Sequence, residues 1–437
     1  MRINIDGKAI NAAEGMTILE AARENGIYIP TLCHLKDLNL ISVCRVCMVE
    51  MNGALVPACS TKLWEGMNIV TDSEKVRVAR RKNLELICSD HHMDCTDCPR
   101  GADCQLRALC KEYEVDDRAF GLGRRKAMTD ASTPYLVRDN AKCILCRRCE
   151  AVCSKLQGIK AIAANNKGGE TNIGFGLPLA ETDCVGCGQC VAHCPTGALT
   201  PKDDTKKAWK AVFDKEKFVV AAVSPSAYKR IGELFGETPG TDCGRKIAEI
   251  FRKIGFDAVY DLDAAEEWSK QTMLAKAENG SISGSCPAWR RYVEKNHPEL
   301  LGKMVYPDDP IALISRHCCK RAGDKEVFIV RFSNCIASKT EDGAVLQLST
   351  REAFEMIRRA CVSSFTADKI WASLQGEDFD AMPLLPEIAT CDSVIIKAYG
   401  IAEAERAMRC RESWDMLFVC ACPGGCISGG GMPRGDI

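Results

Sequence analysis

Two runs of cysteine repeat one spacing. Cys143, Cys146, Cys149 and Cys153 follow C-x2-C-x2-C-x3-C, and so do Cys184, Cys187, Cys190 and Cys194-Pro195. Thiolates at this spacing hold [4Fe–4S] clusters, and in a doubled run the fourth cysteine of each ligates the other run's cluster. One cluster is therefore expected on Cys143, Cys146, Cys149 and Cys194, and a second on Cys153, Cys184, Cys187 and Cys190. Ser154 replaces the usual proline after the first run. Upstream, Cys33, Cys44, Cys47 and Cys59 read C-x10-C-x2-C-x11-C. Three thiolates on a loop and a fourth on a later strand would wrap a [2Fe–2S] cluster; structural zinc is the alternative that C-x2-C by itself allows. The chemistry on offer is transfer of single electrons.

His91, Cys95, Cys98 and Cys104 add H-x3-C-x2-C-x5-C, with His92 the less suitable histidine. A neutral imidazole in place of one thiolate makes a cluster less negative and tends to raise its potential. Four later cysteines are scattered: Cys286 before Pro287, Cys335 after Asn334, then Cys422 and Cys426 in Cys422-Pro423-Gly424-Gly425-Cys426, running into Gly429-Gly430-Gly431. Only the tertiary fold could gather them. Cys88 and Cys110 fall outside the pattern and read as buried thiols. Cys243, Cys318, Cys319, Cys361, Cys391 and Cys410 show no spacing logic and receive no role.

Elements must position these thiols. The 437 residues suggest three or four domains. Residues 1–76 begin with two short strands turned at Asp6-Gly7. A helix follows from Thr17, which with Glu20 forms a capping box, and Gly26 stops it. Residues 77–138 read as helix through 110, carrying the His-Cys motif, and then as a connector through Gly121–Lys126 and Ser132-Thr133-Pro134. Residues 139–206 hold the doubled cysteine run. From 207 to 437, strand-like runs such as Phe218–Val223 and Val327–Val330 alternate with helical stretches such as Lys246–Ile254 and Arg351–Arg359, an α/β texture. The expected architecture is multidomain α+β.

Composition narrows the class. A formal net charge of −1 argues against nucleic-acid binding. The strand-like opening leaves no room for a signal peptide, and the apolar runs are too short to span a bilayer. Twenty-eight cysteines without an export signal point to metal ligation in a cytoplasmic, anaerobic setting rather than to disulfides.

In this order the segments resemble the catalytic iron–sulfur subunit of multi-cluster [FeFe] hydrogenases of the NAD-linked, electron-bifurcating type. The N-terminal half is similar to the large iron–sulfur subunit of complex I, whose His-plus-three-Cys site matches His91 to Cys104. Pro239-Gly240-Thr241, Gly255-Phe256-Asp257, Val259-Tyr260-Asp261, Ser349-Thr350-Arg351-Glu352 and the Cys422–Pro433 segment carry the C-terminal match. The resemblance implies a β-grasp [2Fe–2S] domain, a His-Cys domain, a two-cluster ferredoxin domain and a shortened hydrogenase-like domain. It further implies a [4Fe–4S] cube on Cys286, Cys335, Cys422 and Cys426, the last also bridging to a diiron unit.

Around that site the chain departs from the family. Ser285 stands where the family has a proton-relaying cysteine, and a hydroxyl titrates far above a thiol's ~8.5. Ser338 stands where a lysine donates to cyanide, with Lys339 one position late. Cys420 replaces a methionine. The stretch between Cys335 and Cys422 is short, no acidic residue lies between Glu267 and Glu278, and the chain stops at Ile437. The leading expectation is an electron-transfer subunit of a NAD(P)-linked hydrogenase complex with its diiron site lost or remodelled. The alternative is an active or sensory [FeFe] hydrogenase. Gly429-Gly430-Gly431 is no dinucleotide fingerprint. Nicotinamide chemistry is therefore expected in partners: a flavin/NAD(P)-binding iron–sulfur subunit, a small [2Fe–2S] subunit and a separate hydrogenase, such as a [NiFe] type, or another redox subunit.

Overall fold

Ile3, Ile5 and Ile10 point to one face of the first hairpin, whose turn has Asp6 and Gly7 both at positive φ (50° and 82°). That turn twists with its strands. The computed structural model describes residues 1–437 apart from 97, 102–103, 121–126, 175, 341–344, 361–366, 387, 389–394, 410–413, 427–428 and 430–437. Cys361, Cys391, Cys410, the Gly121–Lys126 part of the expected connector, and Gly430, Gly431 and Pro433 lie outside the described residues.

The first unit is a five-stranded mixed sheet in the order Lys8–Asn11, Arg2–Ile5, Asn68–Val70, Met48–Met51, Ala54–Pro57. The helix Ile18–Glu24 packs Ile18, Leu19, Ala21 and Ala22 against it. Thr17 and Glu20 exchange the two hydrogen bonds of a capping box (2.7 and 3.2 Å). They satisfy two donors that every helix start leaves open.

The long helical reading of 77–110 is corrected. One helix spans Glu74–Ser89 and another Gln105–Glu112, and the chain between them leaves helical geometry to present His91, Cys95 and Cys98. Buried Arg80 joins the parts, donating to Met48 O (3.0 Å), Thr71 O (2.9 Å) and Tyr113 Oη (2.9 Å). Nor is 115–138 only a connector. Leu136–Asp139 pairs antiparallel with Leu199–Pro201, and Thr129–Asp130 adds a third strand. Local composition there is turn-like, but the partner strand lies some sixty residues on, beyond the reach of local propensity.

The C-terminal half holds two parallel four-stranded sheets. One runs Ala258–Asp261, Lys217–Val223, Glu326–Ser333, Val345–Ser349; the other Met304–Val305, Ser281–Ser283, Met416–Cys420, Ile395–Tyr399. Val219 to Val223 are buried without alternation because the first sheet is covered on both faces. Helices Gly244–Ile254 and Thr350–Ala360 supply Ile247, Phe251 and Met356 to one side, and Pro310–Arg321 supplies Ile311 and Ile314 to the other. The molecule is a multidomain α/β protein. No helix among the described residues is long and apolar enough to cross a membrane.

Candidate metal centres

Cys33, Cys44, Cys47 and Cys59 are all buried in one place. Cys33 hydrogen-bonds Cys44 and Cys47 hydrogen-bonds Cys59, and Cys44 and Cys59 feel each other's charge. The loop wraps tightly: Asp37, Ser42 and Arg45 all take positive φ between 53° and 58°. Left-handed backbone costs a non-glycine residue about 1 kcal/mol or more, so the rest of the loop imposes it. Cys59 lies two residues past the Ala54–Pro57 strand rather than on it, a correction to the expected wrapping.

The doubled run forms two cavities. One is lined by Cys143, Cys146, Cys149 and Cys194, the other by Cys153, Cys184, Cys187 and Cys190. Burial lifts the thiols of Cys149, Cys187 and Cys190 well above their usual value. That cost is removed when a metal takes the thiolate. In the second run Gly186 and Gly188 occupy the left-handed positions (φ 70° and 74°); in the first, Leu145 and Arg147 adopt the same conformation (φ 54° and 58°). It turns backbone N–H groups toward sulfur, Leu145 N to Cys143 Sγ at 3.5 Å and Gly186 N to Cys184 Sγ at 3.4 Å. Sulfur-directed donors and four thiols per cavity fit an iron–sulfur cluster in each.

Cys95, Cys98 and Cys104 lie close enough for their charges to interact. Cys104 Sγ is 3.8 Å from Pro195 O, and Cys98 Sγ lies so near Gly197 that a Cβ there would be only 2.6 Å away. His91 sits beside Lys142, whose backbone its ring hydrogen-bonds, and Asp139, and among the described residues its buried Nδ1 has no hydrogen-bond partner. Burial holds its imidazole down to about 4. It is therefore neutral at pH 7 with a lone pair free for a metal, and the residues fit a His-Cys centre. If His91 ligates that centre, His91→Cys should retain the iron but lower the reduction midpoint by adding negative charge. An unchanged midpoint in a potentiometric titration would make His91 only a neighbour.

The fourth gathering lies where parallel strands end, the usual mouth of an α/β site. Cys286 follows Ser281–Ser283 and caps the helix Pro287–Asn296; Cys335 follows Glu326–Ser333; Cys422 and Cys426 follow Met416–Cys420. Ala421 N approaches Cys286 Sγ at 3.5 Å. The S–H of Cys420 is the largest influence lowering the Cys286 thiol, helped by N–H groups at the helix start. Burial pushes Cys335 up to about 11, against hydrogen bonds from the Ser338 side chain and backbone. Cys420 Sγ lies 3.6 Å from Cys426 Sγ. Ser285 Oγ pairs with Ser283 Oγ at 2.8 Å.

Lys339 does not face this pocket. Its Nζ is buried against Asp204 Oδ2 (2.9 Å), Glu352 Oε1 (2.8 Å) and Lys202 O (2.9 Å). Glu352 also accepts from Ser349 N and Oγ (2.8 and 2.7 Å), so Ser349-Thr350-Arg351-Glu352 is a capping box that seats the lysine.

Several residues that join the sites escaped the motif reading. Asn39 Nδ2 donates to Cys33 O (2.7 Å) and Cys146 O (2.9 Å), linking the first loop to the doubled run. Arg148 is buried where Cys146, Cys33, Cys44 and Cys194 all act on its charge. Arg291 donates to Val185 O (2.9 Å) and Ala337 O (2.5 Å), and Gln157 donates to Ala421 O (2.9 Å). No local signal could have found them. Cys88 and Cys110, read as separate thiols, face each other at 3.3 Å between their helices. Cys243 and Cys318 pack in apolar clusters and Cys319 is exposed.

Family models match four stretches in this order. Residues 1–74 match a 2Fe-2S iron-sulfur cluster binding domain and 80–119 the NADH-ubiquinone oxidoreductase-G iron-sulfur binding region. Residues 142–198 match a 4Fe-4S dicluster domain and 217–384 the iron only hydrogenase large subunit, C-terminal domain. Across its whole length the chain is 30% identical to the NADP-reducing hydrogenase subunit HndD of Solidesulfovibrio fructosivorans, covering 90% of it. That alignment runs over 532 positions, so the relative carries segments this chain lacks. Iron hydrogenase 1 of Clostridium pasteurianum is 30% identical over 92% of the chain and 74% of its own length. The NAD-reducing hydrogenase HoxS subunit gamma of Cupriavidus necator is 31% identical over 46% of the chain and 87% of its own length.

Proposed function

The chain belongs to the iron-only hydrogenase family, with the NADP-reducing hydrogenase subunit HndD among its relatives, and from that premise we propose that it is the iron–sulfur electron-transfer subunit of a NAD(P)-linked hydrogenase complex. It relays electrons between a flavin/NAD(P)-binding subunit and another redox centre. Its units are a β-grasp-like [2Fe–2S] domain (1–76), a His-Cys domain (77–138), a two-cluster ferredoxin domain (139–206) and a hydrogenase-like domain (207–437).

The ligand sets are Cys33, Cys44, Cys47 and Cys59 for a [2Fe–2S] cluster and His91, Cys95, Cys98 and Cys104 for a [4Fe–4S] cluster. Two more [4Fe–4S] sets are Cys143, Cys146, Cys149, Cys194 and Cys153, Cys184, Cys187, Cys190, and a fourth is Cys286, Cys335, Cys422, Cys426. Clusters so held would supply one-electron storage. The protein's own residues hold them, bury them from water and keep them adjacent. The observation that carries the relay is that adjacency: Asn39 ties the [2Fe–2S] set to the first cysteine run at Cys146, and Arg291 ties Val185 to Ala337 beside Cys335.

Loss or remodelling of the diiron site is supported by Lys339, which is committed to Asp204 and Glu352. The partners proposed are a flavin/NAD(P) iron–sulfur subunit, a small [2Fe–2S] subunit, and a [NiFe]-type hydrogenase or other redox subunit. The convergence of Cys286, Cys335, Cys422 and Cys426 keeps a second reading in play, an active or sensory [FeFe] hydrogenase.

Prepared anaerobically, the chain should contain about 18 irons and pass electrons from its reduced flavin partner to an external acceptor. Cys149→Ala should remove about four irons, spare the [2Fe–2S] signal and stop the relay. Iron near half the expected content, or relay that survives Cys149→Ala, would defeat the assignment.

A further inference from the structure

Five sulfurs, not four, meet at the ends of the C-terminal strands. Cys420 Sγ is 3.6 Å from Cys426 Sγ and also hydrogen-bonds Cys286 and Cys422. It therefore touches three of the four thiols assigned to the last cluster, although a cube takes only four terminal ligands. A cysteine that merely fills apolar space has no need of three sulfur neighbours.

The two neighbours Cys420 and Cys426 are anchored differently. Cys420 ends a parallel strand paired with Ile395–Tyr399, is 4% exposed, and has its carbonyl bonded by Gly400 N at 2.8 Å. Cys426 reaches the same point from a turn in which Gly424 and Gly425 take left-handed backbone (φ 71° and 93°). One sulfur is fixed by the sheet, while the other hangs on a turn built from residues with little conformational restraint.

We propose that Cys420 is an alternative ligand for the iron corner served by Cys426, so that Cys286, Cys335 and Cys422 can hold the cluster with either sulfur. The inference rests on the proposed cluster at this site. In the exchange the bond from iron to Cys426 sulfur breaks as the bond from iron to Cys420 sulfur forms. The Cys420 S–H proton passes to the departing Cys426 sulfur, so no electron is gained or lost and the net charge is unchanged. Cys420 Sγ and Cys426 Sγ, 3.6 Å apart, are within direct reach of that transfer.

The test is iron and sulfide analysis with reductive titration of the full chain, prepared anaerobically. Cys426→Ala and Cys420→Ala should each retain the wild-type iron content, with a shifted signal for the C-terminal cluster in Cys426→Ala. The double variant should lose about four irons, and so should Cys335→Ala alone. A thermal melt unchanged between Cys426→Ala and the double variant separates ligand loss from unfolding. If Cys426→Ala alone loses as much iron as the double variant, the exchange is overturned. If Cys335→Ala loses none, the cluster reading itself falls and the exchange with it.

Discussion

Hydrogen should reduce no viologen dye through this chain in isolation, even after co-expression with the hydrogenase maturation machinery. A diiron centre held at this site would need a proton donor and a cation from the surrounding protein. Ser285 supplies a hydroxyl hydrogen-bonded to Ser283, a poor acid at neutral pH. Ser338 turns to the Cys335 thiol instead of presenting a cation. Because these defects are independent, Ser285→Cys should restore nothing. Infrared spectra of the matured protein should lack bands from metal-bound CO and CN. Strong H2 uptake with those bands present would install the hydrogenase reading in place of the relay.

Lys339→Met should destabilise the C-terminal domain by about 3–5 kcal/mol, because it strands the buried carboxylate of Glu352 and leaves Asp204 with Lys207 alone. The ammonium is their shared partner inside the fold, and burial already lifts the Glu352 carboxyl above its usual range. Thermal melting of the C-terminal half should drop sharply while the [2Fe–2S] signal from residues 1–76 persists. Adding Glu352→Gln to Lys339→Met should recover part of the loss, since a neutral amide costs less to bury than an unpaired charge. A lysine serving the pocket would behave differently: its loss would alter the last cluster's spectrum and leave the melt nearly unchanged.

Cysteine spacing made the two proposed ligand sets of the doubled run readable because loops of two or three residues have little conformational reach. Cys143, Cys146 and Cys149, or Cys184, Cys187 and Cys190, can hardly avoid a common cavity, and the structure gathers each with the fourth cysteine of the other run. The capping box at Thr17 and Glu20 and the strand at Lys217–Val223 were equally local, one set by helix-end hydrogen bonds and the other by an apolar run. Spacing said nothing where the partner is far along the chain. Leu136–Asp139 became a strand only because Leu199–Pro201 reached it, and Cys88 met Cys110 only because two helices packed. Gln157 touches Ala421 and Asn39 touches Cys146 across loops whose closure no local pattern encodes. Lys339 is the sharpest case. One residue of displacement in sequence left its direction open, and the packing of Glu352 and Asp204 against it decided that it points into the core. The residue types and spacings determined which atoms could bind metal; the pairing of Ser281–Ser283 with Met416–Cys420 in one parallel sheet decided that Cys420 would stand beside Cys286.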